Sequence, residues 1–392
     1  MRKINYGSHQ VDLNDLSLIK KVLKSNYVTQ GNFVKNFENK VSSYLNSKYA
    51  VSCNSGTAAI HMAFDALNIN SKSIIIMPII NFISSYGIAK LLGAKVYLAD
   101  INCRTGQIEP ENIEDCIKKH NLKKVDLLVT MYLGGDPKNC FNFFKLKKKY
   151  NFKIMEDACH AFGAAYKYKN KYVKIGSCLH SDICVFSFHP LKTITTGEGG
   201  MLTTGDKKIF EKAKLFRSHG ILRKNNLYWK NSISNFGMNY RLSDINCALG
   251  ISQLKKVNKF LKHRNKIYRY YEKNIRAYKD FCEISYNSKN NKSANHLMVI
   301  LFDFNKIKVD KDFIFNFFRK RNIFLQYHYQ LINKYKIFSD KKPLSYQGAL
   351  KFNQSAISFP THVNLELKDL DKIFNILREL IRKYKKNKVN KI

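Results

Sequence analysis

Acidic residues are scarce in this chain: 29 Asp and Glu stand against 68 Lys and Arg, a formal charge of +39 over 392 residues. Such a balance admits nucleic acid, an anionic membrane surface or phosphorylated substrates as partners. The sequence lacks what the first two need. It has no helix-turn-helix, no RNA-binding signature and no interleaved basic–aromatic motif. Its basic residues are spread along the chain, and the runs 145–149 and 382–391 read as solvated helix or tail surface. No apolar run is long enough to span a bilayer; the most apolar, residues 74–80, is short and contains Pro78. The opening MRKINYGSHQVDL holds no apolar stretch of signal-peptide length. The expectation is a cytoplasmic protein with no membrane insertion and no nucleic-acid partner. None of the nine cysteines forms a C-x-x-C pair, which speaks for free thiols in a reducing compartment. Internal repeats and low-complexity linkers are missing as well.

What is present is material for a large core, with 45% hydrophobic and 13% aromatic residues. Helices are expected over 11–25 and 32–45; in the second, Val34, Phe37, Val41 and Leu45 recur at spacings of three and four. Strands and helices then alternate. Strands are expected at 49–52, 73–77, 95–98, 125–132, 152–155 and 183–188, with helices at 58–67, 82–92 and 141–150. This alternation predicts an α/β fold with a mainly parallel sheet and ligands at the carboxyl ends of its strands. A long helical stretch, 241–276, leads to a second α+β unit. There the expectation is strands at 296–302 and 324–329 and helices at 310–321 and 367–384. The division is drawn between a large domain, 1–250, and a smaller one, 251–392.

Three loops after strands carry chemistry. The run FSFHPLKTITTGEGGML, residues 186–202, brings one lysine, Lys192, into a turn of small and hydroxylated residues. In so basic a chain a lysine is by default a solvated charge. Among apolar and small neighbours, however, it is desolvated, and its amine becomes a nucleophile. The turn Asn54-Ser55-Gly56-Thr57 opens a helix and outlines a phosphate site, although Ser and Thr also serve there as plain caps. Glu156-Asp157-Ala158-Cys159-His160 follows a strand and admits three readings. As a metal site it lacks further ligands, so no metal is expected. As an ordinary turn it needs only an Asp cap. With Lys192 and the phosphate cradle it supplies the three anchors of pyridoxal phosphate: an amine, a carboxylate for the pyridine nitrogen, and a phosphate site.

The segments NSGTAAIH, EDACHAFGA, FSFHPLKTITTGEGG, LFRSHGIL and NYRLSDINCALGISQLKK resemble the DegT/DnrJ family of nucleotide-sugar aminotransferases, of pyridoxal-phosphate fold type I. The resemblance covers nearly the whole chain in order, and is nearest to the subgroup acting in pseudaminic acid synthesis. It implies a large domain with a mainly parallel mixed sheet and a smaller C-terminal α+β domain. It makes Lys192 the Schiff-base lysine and proton shuttle. It pairs Asp157 with the pyridine nitrogen and sets His160 against the cofactor. Gly56, Thr57 and Ser187 would hold the phosphate, and Phe82 would stack on the ring, where a core role is the alternative. Asn239 would reach the cofactor phosphate of a second subunit in a homodimer; a helix cap is its other reading. Tyr6, Asn26, Tyr27, Val28, Thr29, Gln326, Tyr327, His328 and Tyr329 match segments that contact the sugar nucleotide. His61 has no assignment. The function implied is amino transfer, with glutamate as donor, to the 4-keto group of a UDP-linked 4-keto-6-deoxy N-acetylamino sugar. Rival readings are a dTDP-linked 3-keto or 4-keto sugar as substrate, and a pyridoxal-phosphate-bound regulator or nucleic-acid-binding protein.

Overall fold

A computed structural model describes residues 2–224, 227–285, 290–338 and 345–385. Helices α1 (Leu13–Leu23) and α2 (Asn32–Leu45) precede the main sheet. Asp12 starts α1 by accepting from the Asn14 and Asp15 amides, while the Asp15 carboxylate accepts from the Asp12 amide. Asn46, in the left-handed region at φ 58°, ends α2. The alternating region follows: β1 (Tyr49–Cys53), α3 (Gly56–Ala66), β2 (Ile74–Pro78), α4 (Ile83–Leu91), β3 (Lys95–Ala99), α5 (Pro110–Lys119), β4 (Leu127–Met131), α6 (Cys140–Tyr150) and β5 (Lys153–Asp157). A small hairpin of β6 (Ala165–Tyr168) and β7 (Lys171–Lys174) intervenes before β8 (Ile183–Ser187), β9 (Gly200–Thr204) and α7 (Lys207–Arg217). A second hairpin, β10 (Ile221–Lys224) and β11 (Leu227–Ile233), leads to the 32-residue helix α8 (Asp244–Ile275). The chain closes with β12 (Cys282–Ile284), β13 (Met298–Phe302), α9 (Lys311–Arg319), α10 (Gln347–Ser355), β14 (Ala356–Phe359) and α11 (Leu367–Tyr384).

The main sheet has the order β1-β9-β8-β5-β4-β2-β3. From β8 to β3 every neighbouring pair is parallel, and β9 runs antiparallel between β8 and β1. Helices cover both faces, so its strands are apolar runs rather than alternating ones. Along β2, Ile75 and Met77 enter one core and Ile76 the other. This is the expected α/β arrangement. A three-stranded antiparallel sheet, β12-β13-β14, forms the second unit with α9 and α11. Helix α8 serves both: Cys247, Ile251 and Phe260 pack into a core of the main sheet, and Ile267, Tyr271 and Ile275 into the C-terminal core. Near its middle, Arg264 is buried and donates to the carbonyls of Asn295, His296 and Thr361 at 3.4, 3.4 and 2.9 Å. Ile4 bridges Ile323, which draws the N-terminal segment onto the C-terminal core.

Two sequence-based expectations fail. Residues 324–329 are not a strand; they make one bridge, Gln326 to Ser358. The place beside β13 is taken by β14, and the chain beyond Gln326 turns away to line a cavity. The long helix begins at Asp244 rather than 241, because Ser243 caps it by accepting from the Asn246 amide. All nine cysteines are free thiols. No helix among the described residues is long and apolar enough to cross a membrane.

Candidate active site

A cavity of about 500 Å³ opens at the carboxyl ends of β1, β2, β4, β5 and β8. Its chemistry is carried by loops pinned to those strand ends. The loop after β8 is closed at its neck, where the Phe188 amide donates to Gly199 O at 2.8 Å and the Thr196 amide to Phe188 O at 3.0 Å. Within it the Lys192 amide donates to His189 O at 2.9 Å. The half-buried Lys192 side chain lines the cavity. Burial lowers its amine below the ordinary lysine range, against the opposing pull of Cys159 and Asp157.

Asp157 ends β5 and is buried. Its Oδ1 accepts from the Cys159 amide at 3.2 Å, and its Oδ2 from Ser85 Oγ of α4 at 3.4 Å. His160 follows on the same loop. Its Nε2 shares a hydrogen bond of 3.0 Å with Tyr329 Oη, and its ring lies 4.3 Å from that of His296. Burial drives both imidazoles well below their usual range, with the Lys192 charge adding to the effect. They are therefore neutral at physiological pH. Tyr329 is raised well above the phenol range by burial and keeps its proton.

The start of α3 also lines the cavity and is the candidate phosphate cradle. Ser55 caps the helix, its Oγ accepting from the Ala58 amide at 3.0 Å. The first-turn amides of a helix have no partner inside it, and the dipole there favours an anion. Gly56 lies close under Ser187: a Cβ at Gly56 would come within 2.9 Å of Ser187 Cβ. Glycine is likewise required at Gly200, where a Cβ would come within 2.2 Å of Ser55 O. Thr57 is exposed to the cavity. Phe82, 53% exposed at the start of α4, faces Tyr329 edge-on with ring centroids 5.8 Å apart. Tyr6 lies 5.5 Å from the ring of His328, and the backbone of Tyr6 accepts from Thr361 at 3.1 Å. Gln326, Tyr327, His328 and Tyr329 form the opposite wall; His328 Nδ1 is 2.9 Å from Ser358 Oγ.

Asn239, Asn26, Tyr27, Val28 and Thr29 do not line this cavity. All five are exposed. Asn239 bridges Ser218 and accepts at its carbonyl from Asn54 Nδ2 at 3.4 Å. It does not cap α8, so that reading of it falls. His61, unassigned from sequence, shares a 3.0 Å hydrogen bond between its Nδ1 and Tyr240 Oη and packs edge-on against Phe216. Sequence reasoning passed over His296 and Asn81, which also line the cavity. Neither sits in a motif with a chemical signal. Among the described residues no group of three His, Cys, Asp or Glu is arranged to hold a metal.

The residue set suits pyridoxal phosphate. Asn81 Nδ2, His160 Nδ1 and His296 Nδ1 are buried without a partner among the described residues, as a site awaiting a polar ligand requires. A side chain at position 56 would collide with Ser187, and Gly56, Asp157 and Lys192 line the same cavity.

Comparison with known proteins gives the family. Residues 10–378 match the model of the DegT/DnrJ/EryC1/StrS aminotransferase family. The UDP-4-amino-4,6-dideoxy-N-acetyl-β-L-altrosamine transaminase of Campylobacter jejuni is 34% identical over 386 residues, covering 98% of this chain and 99% of its own. The structure of Helicobacter pylori PseC, an aminotransferase involved in the biosynthesis of pseudoaminic acid, superposes with a TM-score of 0.88 at 29% identity, covering 97% of this chain and 100% of its own. The pyridoxal-phosphate form of the putative sugar aminotransferase Spr1654 from Streptococcus pneumoniae shares the fold at a TM-score of 0.88 and 21% identity, covering 97% of this chain and 99% of its own. This chain is an aminotransferase whose cofactor is pyridoxal phosphate, and it belongs to the DegT/DnrJ/EryC1/StrS aminotransferase family.

Proposed function

We propose that the enzyme moves an amino group from glutamate to the C4 ketone of a UDP-linked 4-keto-6-deoxy N-acetylamino sugar. The observation that carries the reading is the shared cavity of Lys192, Asp157 and His160 at the strand ends. Full-length similarity to a transaminase named for the corresponding 4-amino sugar supports the substrate class.

Pyridoxal phosphate, when bound, supplies an aldehyde for amine exchange and a ring that takes up electrons. Lys192 Nζ, lowered by burial, is the base that takes a proton from the donor carbon and later returns one to the sugar carbon. Asp157, held by Ser85 and the Cys159 amide, would keep a proton on the pyridine nitrogen. Gly56, Thr57 and Ser187 would hold the phosphate, and Phe82 would cover the ring. His160 is fixed by Tyr329. Tyr6, Gln326, Tyr327 and His328 shape the sugar side, and their aromatic rings exclude water.

The site is completed by a second copy of the chain. Tyr27 and Val28 are 67% and 46% exposed, and Phe236 and Met238 are 89% and 43% exposed. The first pair is tied to the start of α8, since the Asp244 amide donates to Val28 O at 3.0 Å and Thr29 bridges Ser243. Such an apolar surface beside Asn239 suits an isologous homodimer. In it Asn239 and residues 26–29 serve the partner's cofactor and nucleotide.

The test is product analysis. Holoenzyme, glutamate and the UDP-linked 4-keto sugar should yield the 4-amino sugar by mass and NMR. Product from a dTDP-linked 3-keto or 4-keto sugar, with none from the UDP sugar, would overturn the assignment.

A further inference from the structure

A second cavity, about 510 Å³, shares no lining residue with the first. It runs along the free edge of β1, between α2 and α7. Its lining is strongly basic: Lys35, Lys48, Lys214, Arg217 and Arg241 stand against one carboxylate, Glu38. That carboxylate is already engaged. Glu38 Oε1 accepts from Arg217 Nη1 at 2.5 Å and from Ser52 N and Oγ, both at 2.8 Å. Arg217 Nη1 also donates to Ser52 O at 2.9 Å, while its Nε is buried with no partner among the described residues. Lys35, Lys48 and Arg241 have no ion pair among the described residues, and Lys214 has only Glu211 at 3.6 Å.

Cations of one sign gathered in a concave site raise its potential and draw anions into it. The volume is that of a small-molecule site. Tyr49 and Phe210, stacked with centroids 4.7 Å apart, add an aromatic wall beside the cations. We propose that this cleft is a binding site for a small phosphorylated anion, with the phosphate on Lys48, Lys214, Arg217 and Arg241 and any ring against Tyr49 and Phe210. It shares no lining residue with the cavity of Lys192 and Asp157.

The probe is inorganic pyrophosphate, added to holoenzyme during lysine acetylation and read by peptide mass spectrometry. Pyrophosphate should slow modification of Lys48 and Lys214 several-fold and leave Lys20, exposed on α1, unchanged. In equilibrium dialysis, wild type should bind one more pyrophosphate per chain than K48E/K214E, with amino transfer equal in the two. Loss of the two cations should weaken this site about tenfold or more. Repeating the footprint with UDP separates the sources: stronger protection than by pyrophosphate marks a nucleotide, and equal protection a free phosphate. No selective protection of Lys48 and Lys214 would overturn the proposal. So would equal stoichiometry in wild type and variant, or cleft lysines already inaccessible because a second copy covers them.

Discussion

Tyr329 Oη and His160 Nε2 meet at 3.0 Å, and this bond ties the C-terminal wall of the cavity to the loop that follows β5. His160 Nδ1 has no partner among the described residues, so Tyr329 supplies the one hydrogen bond seen for this ring. Tyr329→Phe should fold normally and leave the imidazole free to turn. A hydrogen bond that holds the imidazole in its reacting position is worth about 1–3 kcal/mol, and losing that much transition-state stabilisation lowers kcat on the order of tenfold or more. Unchanged kcat across the pH range would show that the bond only packs the wall.

Asp157→Asn tests the carboxylate. The amide can still accept from the Cys159 amide and meet Ser85, so the fold should persist. It cannot hold a proton on a pyridine nitrogen, and kcat should drop by about a hundredfold or more. Near-normal turnover in the folded variant would remove Asp157 from the chemistry.

His328 is pushed down to about 3, first by burial and then by the charge of Lys192. An unfolded histidine titrates near 6.5. As pH falls through that window the unfolded chain takes up a proton that the folded chain refuses, so stability is lost on acidification from about 6.5 toward 3. His160 and His296 act in the same direction. In the cofactor-free protein, His328→Gln should flatten the slope by up to about 1.4 kcal/mol per pH unit. Urea midpoints at several pH values between neutrality and mild acid give the slope. An unaltered slope would show that His328 does not titrate between the two states.

The sheet was legible because its strands are buried on both faces and stand out as apolar runs, as in Ile75, Ile76 and Met77. The Lys192 loop was legible because its glycines break any regular pattern. Helix α7 was not foreseen. Its sequence KKIFEKAKLFR is mostly charged, and its buried stripe is only Ile209, Ala213 and Phe216. Residues 324–329 misled in the opposite way. Their aromatic content suits a strand, but tertiary packing spends it on a cavity wall. His296 could not be found from sequence, because its meaning comes from contact with His160, and no spacing rule links the two.

Assembly has its own test. In the proposed homodimer, Asn239→Asp would set a carboxylate against the partner's cofactor phosphate, and Lys192→Ala would remove the amine. Each homodimer should be inactive. After dissociation and random re-pairing half the dimers are mixed, each with one site intact, and roughly a quarter of wild-type activity should return. Mixed dimers without activity would mean that each site lies within one chain.

On the proposed mechanism Lys192, half-buried at the strand ends with Asp157 in the same cavity, is the amine that does the chemistry. The most direct measurement is borohydride reduction of the yellow holoenzyme followed by peptide mapping. The mass of the reduced cofactor should appear on Lys192 alone, and Lys192→Ala should lose both the visible band and the label. A label on any other lysine, with the band intact in Lys192→Ala, would contradict it.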